Sequence, residues 1–178
     1  GGRGAWPAGV TWPAGRLGRA AEVGVARSAE FGNGGPANFN TPTQTVIGGS
    51  LAALGQAEEA LTTAGARKVV RLNVSAACHT PFVAPAADRL REVVGHLAWT
   101  DTAVPVAANL TGAPYPAGVN FAEVLERQLK SPVRLSESVR SLSALVVADF
   151  PQFRPGRPHR GLGGRLAPGR GAPPAGPP

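Results

Sequence analysis

The sequence predicts an α/β chain, and two observations carry that prediction. Short apolar runs of strand length recur at residues 67–74, 102–108 and 144–150. Between them lie longer stretches in which Leu and Val return at helical spacing, as at Leu90, Val93, Val94 and Leu97. A period that switches repeatedly between strand and helix is the pattern of an α/β fold.

The elements follow in chain order. Residues 17–29, rich in Ala, Arg and Val, are weakly helical. Residues 37–40 and 43–48 read as two strands joined at Thr41-Pro42. A helix is predicted over 50–64, with Ser50 as its N-cap, Leu51, Leu54 and Leu61 on its apolar face, and Gly65 as its stop. Residues 67–74 form the next strand and 85–98 a helix with Leu90, Val93, Val94 and Leu97 on one face. A strand over 102–108 directs Val104 and Val106 to one side, helices cover 120–129 and 132–142, and 144–150 is an apolar strand suited to a parallel sheet. The opening GAWPAGVTWPAGRLG carries Pro7 and Pro13. Proline removes a ladder donor, which argues against an interior strand there.

His79 is the residue that points to chemistry. It stands in a loop after an apolar strand and before a helix, where a side chain is rigidly held yet reaches a cleft, as a general base requires. Four ordered segments surround it: NFNTPTQTVIGG (38–49), AGARKVVRLNVSAACHTPFVAPAADRL (64–90), VPVAANLTG (104–112) and LERQLKSPVRLSESV (125–139). From Pro36 to about Phe150, this set resembles the C-terminal half of the malonyl-CoA:acyl carrier protein transacylase family. The family pattern is N-x-N-[ST]-P-x-Q-x-V-I-x-G, then V-S-x-x-x-H-[ST], then R-Q-L-x-x-P-V-x-W.

The resemblance implies a fold and a division of the chain. Residues 1–73 would form a ferredoxin-like small subdomain, βαββαβ, with an irregular start. Residues 74–150 would be the C-terminal part of the acyltransferase large subdomain, the returning half of an α/β-hydrolase-like parallel sheet. It further implies transfer of malonyl from coenzyme A to the phosphopantetheine thiol of acyl carrier protein in fatty-acid biosynthesis. Malonyl-CoA and the carrier protein are the partners, and no cofactor is implied.

It also assigns roles. His79 is the base that takes a serine proton and returns it to the leaving thiol. The backbone carbonyl of Gln128, in Arg127-Gln128-Leu129, ties down the second ring nitrogen, so no aspartate is required. Asn38, Asn40 and Gln44 are candidates for lining the acyl-carrier or pantetheine side of the cleft; fixing the turn around Pro42 is their alternative role. Cys78 beside His79 invites a cysteine nucleophile, but neighbours on an extended segment point apart, so the pair is poorly placed for proton transfer and Cys78 is expected to pack. His96 is expected on the surface or in packing, and His159 in solvent. The family's serine nucleophile belongs to a strained G-H-S-x-G elbow, and no G-x-S-x-G occurs in these 178 residues. With no methionine in the chain, the expectation is a fragment that holds the base without the nucleophile.

Composition sets the remaining bounds. No run approaches the ~18 apolar residues of a membrane span, and no secretory leader pattern is visible, so the cytoplasm is expected. One cysteine excludes an internal disulfide. The charge of +7 is gathered at the ends. Residues 151–178 carry Arg154, Arg157, Arg160, Arg165 and Arg170 and no acid, among prolines and glycines, which predicts a disordered tail. A second reading is therefore a non-enzymatic module that uses this tail to contact nucleic acid or a carrier protein. Phe153 is its only aromatic residue for base stacking, and a recognition sheet's aromatic pattern is absent, so nucleic acid is not the expected partner. Both ends are expected to include misread codons of a GC-rich gene, because such codons favour Gly, Pro, Arg and Ala.

Overall fold

The computed structural model describes residues 9–13, 34–66 and 68–145. The predicted helix over 17–29, most of the predicted strand over 144–150 and the tail lie outside the described residues. Within them, strand β1 (Gly9–Pro13) precedes β2 (Gly34–Thr41) and β3 (Gln44–Gly49). Helix α1 (Leu51–Thr63) and strand β4 (Val70–Leu72) follow. A one-turn 3-10 helix (Pro81–Val83) leads into α2 (Ala84–Val94). The short pair β5 (Ala107–Ala108) and β6 (Ala113–Pro114) and the helices α3 (Phe121–Leu129) and α4 (Leu135–Ala144) complete the chain.

The first four strands form one antiparallel sheet in the order β2-β3-β1-β4. β2 and β3 are a hairpin across Pro42 and Thr43; Thr41 pairs with Gln44, and the Thr41 hydroxyl accepts the Thr43 amide at 3.1 Å. α1 lies on this sheet as its cap and stop signals dictate. The Ser50 hydroxyl accepts the Ala53 amide at 3.2 Å, and Gly65 takes φ +84°, which only glycine adopts without strain. Ile47 meets Leu54, Ala57 and Leu61 in the buried core, with Ala66 and Val69 against it. Truncating a leucine so buried costs roughly 2–5 kcal/mol, a large part of a net stability on the order of 5–15 kcal/mol. Leu51 is not part of that face. It is 54% exposed, because the buried stripe runs through Ala53, Leu54, Ala57 and Leu61.

β1 is an interior strand, paired with β3 on one side and β4 on the other. Pro13 is tolerated because it is the last residue of β1. It faces only Gln44 of β3, while pairing to β4 stops at Thr11. The strand expected over 102–108 shrinks to Ala107–Ala108, paired antiparallel with β6. No other strand among the described residues lies beside 102–106, so Val104 and Val106 are exposed. On α2, Ala87 and Val94 are buried, whereas Val93 and Leu97 face out. The helix ends at Val94, so Leu97 lies in the turn beyond it. Residue 144 closes α4 and does not open a strand. No parallel strand ladder occurs among the described residues; one isolated parallel bridge joins Asn38 of β2 to Val133.

That bridge positions the site. The Phe39 amide donates to the Val133 carbonyl and the Val133 amide to the Ala37 carbonyl, both at 2.8 Å. The turn after α3 is thereby fastened to the outer edge of the four-stranded sheet.

Candidate active site

The loop after β4 brings His79 to the end of α3. Ala77 and Thr80 on either side are buried, and the Thr80 hydroxyl donates to the Ala77 carbonyl at 2.6 Å. This knot lies directly on β3 at Gly48, where a Cβ would come within 2.9 Å of the Thr80 methyl and 3.2 Å of the Ala77 Cβ. Between the two anchors His79 adopts φ +63°, the left-handed region. For an L-residue that conformation costs roughly 1–2 kcal/mol and persists only where the surroundings enforce it.

Two hydrogen bonds enforce it. The His79 amide donates to the Leu129 carbonyl at 2.9 Å, and the ring Nδ1 lies 3.1 Å from the Gln128 carbonyl. Both carbonyls belong to the last turn of α3, where the amide four residues on is lacking; the Gln128 carbonyl also accepts the Ser131 amide at 3.3 Å. A carbonyl oxygen can only accept, so the ring proton of neutral His79 resides on Nδ1 and Nε2 keeps a lone pair. An imidazole held in one tautomer, with the other nitrogen open, can take a proton from a hydroxyl or thiol and give it back.

His79 lines a cleft of about 580 Å³ together with Asn38 of β2, Val46 of β3, Asn73 and Cys78. The structure thus brings Asn38 to His79. Asn40 and Gln44 do not line this cleft; both lie toward the hairpin turn, with Gln44 paired to Thr41 and Pro13. Cys78 is exposed and not packed, because Ala77 and Thr80 are the residues that turn inward in this loop. His96 is exposed in the turn after α2. His159 lies outside the described residues.

Sequence reasoning did not find Leu129, Gly48, Thr80 or Glu126. A backbone acceptor such as the Leu129 carbonyl leaves no residue-type signal. Gly48 stands among small residues in a strand and is marked only by being an interior-strand glycine. Glu126 had a legible signal, the Glu126–Lys130 spacing of four on a helix. Its carboxylate is nearly buried, 2.5 Å from the Lys130 Nζ and 2.7 Å from the Arg91 Nη1 of α2.

No protein-family model matches the sequence. Individual relatives do. The malonyl CoA-acyl carrier protein transacylase of Bacillus subtilis is 36% identical over 126 residues, which are 71% of this chain and 40% of that protein. A solved malonyl-CoA:acyl carrier protein transacylase from Xanthomonas oryzae superposes with a TM-score of 0.81 at 31% identity, over 92% of this chain and 52% of that one. A malonyl-transacylase solved with its type II polyketide acyl carrier protein gives a TM-score of 0.82 at 29% identity, over 92% of this chain and 52% of that one. In fold and sequence the chain is similar to α/β acyltransferases. Within that class its relatives are malonyl-CoA:acyl carrier protein transacylases, and it spans about two fifths of the length of the curated relatives it matches.

Proposed function

We propose that this chain supplies the histidine base and part of the acyl cleft of an acyl carrier protein S-malonyltransferase. The observation that carries the reading is the fixed imidazole of His79, with Nδ1 on the Gln128 carbonyl, on a residue that lines the cleft. In this reading Nε2 takes the proton of a serine hydroxyl as the oxygen attacks the thioester carbonyl of malonyl-CoA. The tetrahedral intermediate collapses, the carbon–sulfur bond breaks, and the imidazolium returns the proton to the departing coenzyme A thiol. The phosphopantetheine thiol of acyl carrier protein then loses its proton to Nε2, attacks the malonyl ester, and the serine recovers the proton. The chain contains no G-x-S-x-G elbow, so the serine comes from outside these 178 residues.

The finer architecture belongs to the same proposal. The antiparallel order β2-β3-β1-β4 supports a ferredoxin-like small subdomain over 1–73, its first crossover falling outside the described residues. The structural match over 92% of the chain supports 74–150 as part of a large subdomain. Asn38 is the cleft-lining candidate for the acyl or pantetheine side. Asn40 and Gln44 do not line the cleft and take no part in this proposal; the Thr41 hydroxyl holds the turn. Work in fatty-acid synthesis in the cytoplasm is part of the same proposal. No helix among the described residues is long and apolar enough to cross a membrane.

The test joins this chain to the portion of the Bacillus subtilis relative that it does not cover. The chain alone should transfer no malonyl to carrier protein above background. The chimaera should transfer it, and His79→Ala in the chimaera should lower the rate by about three orders of magnitude or more. A His79→Ala chimaera working at the parental rate would remove His79 from the mechanism.

A further inference from the structure

His79 is held by the last turn of α3, and α3 in turn is held by a carboxylate. Glu126 lies two residues before Gln128, with a side chain only 8% exposed. One oxygen accepts from Arg91 of α2 at 2.7 Å, and the other from Lys130, a turn further along α3, at 2.5 Å. α2 begins four residues after the His79-Thr80 knot, so the chain runs from His79 through α2 to Arg91. It then crosses to Glu126 and returns through Gln128 and Leu129 to His79. This closed circuit contains one polar crossing between the two helices, Arg91 to Glu126. Lys130 and Arg91 hold the Glu126 carboxyl below the ordinary carboxylate range, so the crossing is charged at neutral pH.

We propose that Glu126 is a positioning residue for His79: by clamping α2 to α3 it fixes the Gln128 carbonyl under Nδ1 and so selects the tautomer with Nε2 free. The inference rests on reading His79 as the base and adds how that base is kept in register. A nearly buried carboxylate with two cationic partners is costly to leave half-paired, so the helix ends are held at one spacing. Hydrogen bonds fall off steeply with misalignment, and a small slide of α3 relative to the loop weakens the ring contact first. The hydrogen bond from the His79 amide to the Leu129 carbonyl does not depend on the ring tautomer.

The test uses the chain itself, labelled with 15N in its histidines, the signals of the other two rings identified with His96→Gln and His159→Gln. In the parent, the neutral His79 ring should carry its proton on Nδ1 alone. Arg91→Met removes the crossing from an exposed position, leaving Glu126 to Lys130. It should admit the Nε2-protonated tautomer and speed exchange of the Nδ1 proton with water on the order of threefold to tenfold. Arg91→Lys should recover most of the parental behaviour, and Glu126→Gln should move in the same direction as Arg91→Met. Arg127→Ala, which breaks the exposed Arg127–Glu123 pair on the same helix, should change nothing at the ring. Parental tautomer and exchange in Arg91→Met, at unchanged circular dichroism, overturn the inference alone. A parent ring without the single Nδ1 proton overturns it together with the reading of His79.

Discussion

A left-handed histidine between two buried neighbours turns one backbone angle into a functional device. With φ at +63°, His79 reverses the chain direction between Ala77 and Thr80, and its ring and amide both reach the end of α3. The strain is measurable apart from any activity. His79→Ala and His79→Gly both delete the imidazole and its bond to the Gln128 carbonyl, so their difference isolates the backbone. Glycine pays more entropy on folding, yet it relieves the left-handed penalty, and the second effect is larger at such a position. His79→Gly is expected to be more stable than His79→Ala by about 1 kcal/mol in urea unfolding. Equal stabilities, or a more stable alanine variant, would show that the backbone is not left-handed here. The importance of His79 was legible in VSAACHTP, but the conformation was not, because no Gly or Asn marks the turn.

Helix ends and one close strand contact do the positioning at the next scale. α1 was legible because its cap is written in the residue types, Ser50 accepting from Ala53; α3 is capped in the same way by Asn120, which accepts from Glu123 at 3.2 Å. β1 was misread because Pro13 counts against a strand only where a second neighbour needs its donor, and β4 does not extend that far. The approach of β3 to the His79 loop was invisible, since a glycine in a strand does not say what lies above it. Gly48→Ala tests that approach. The new Cβ meets the Thr80 methyl at 2.9 Å, and overpacking of this kind costs about 1–3 kcal/mol. Thr80→Ser removes that methyl while keeping the hydroxyl that donates to the Ala77 carbonyl. In the Gly48→Ala background it should recover more than half of the lost stability. Thermal unfolding of the two single variants and the double variant checks the coupling, and strictly additive effects would mean that the two groups do not touch.

Across the molecule, the sheet, the loop and the helices are joined by a few contacts whose charge state depends on pH. The predicted alternation of strand and helix held through α1 and β4 but not over 102–106. There the Val pattern signals a strand, and a strand needs a neighbour that the described residues do not supply. Among the described residues, two carboxylates link separate elements: Glu58 ties α1 to Arg71 of β4, and Glu126 ties α3 to Arg91 of α2. Hydrogen bonding to Arg71 holds the Glu58 carboxyl low, and bonding to Lys130 and then Arg91 does the same for Glu126. A carboxylate whose folded pKa is depressed binds its proton more readily in the unfolded chain. The stability it contributes is therefore complete above the unfolded value near 4.5 and is lost as pH falls through the lower folded value. The urea midpoint should accordingly change little between about pH 7 and pH 5 and decline below that range. Glu58→Gln with Glu126→Gln should start lower at pH 7, having lost both pairs, and should decline less steeply on acidification. Midpoints of the parent and the double variant across that range decide the matter. A double variant that declines as steeply as the parent would move the acid sensitivity to other carboxylates and leave these two ties without a role in it.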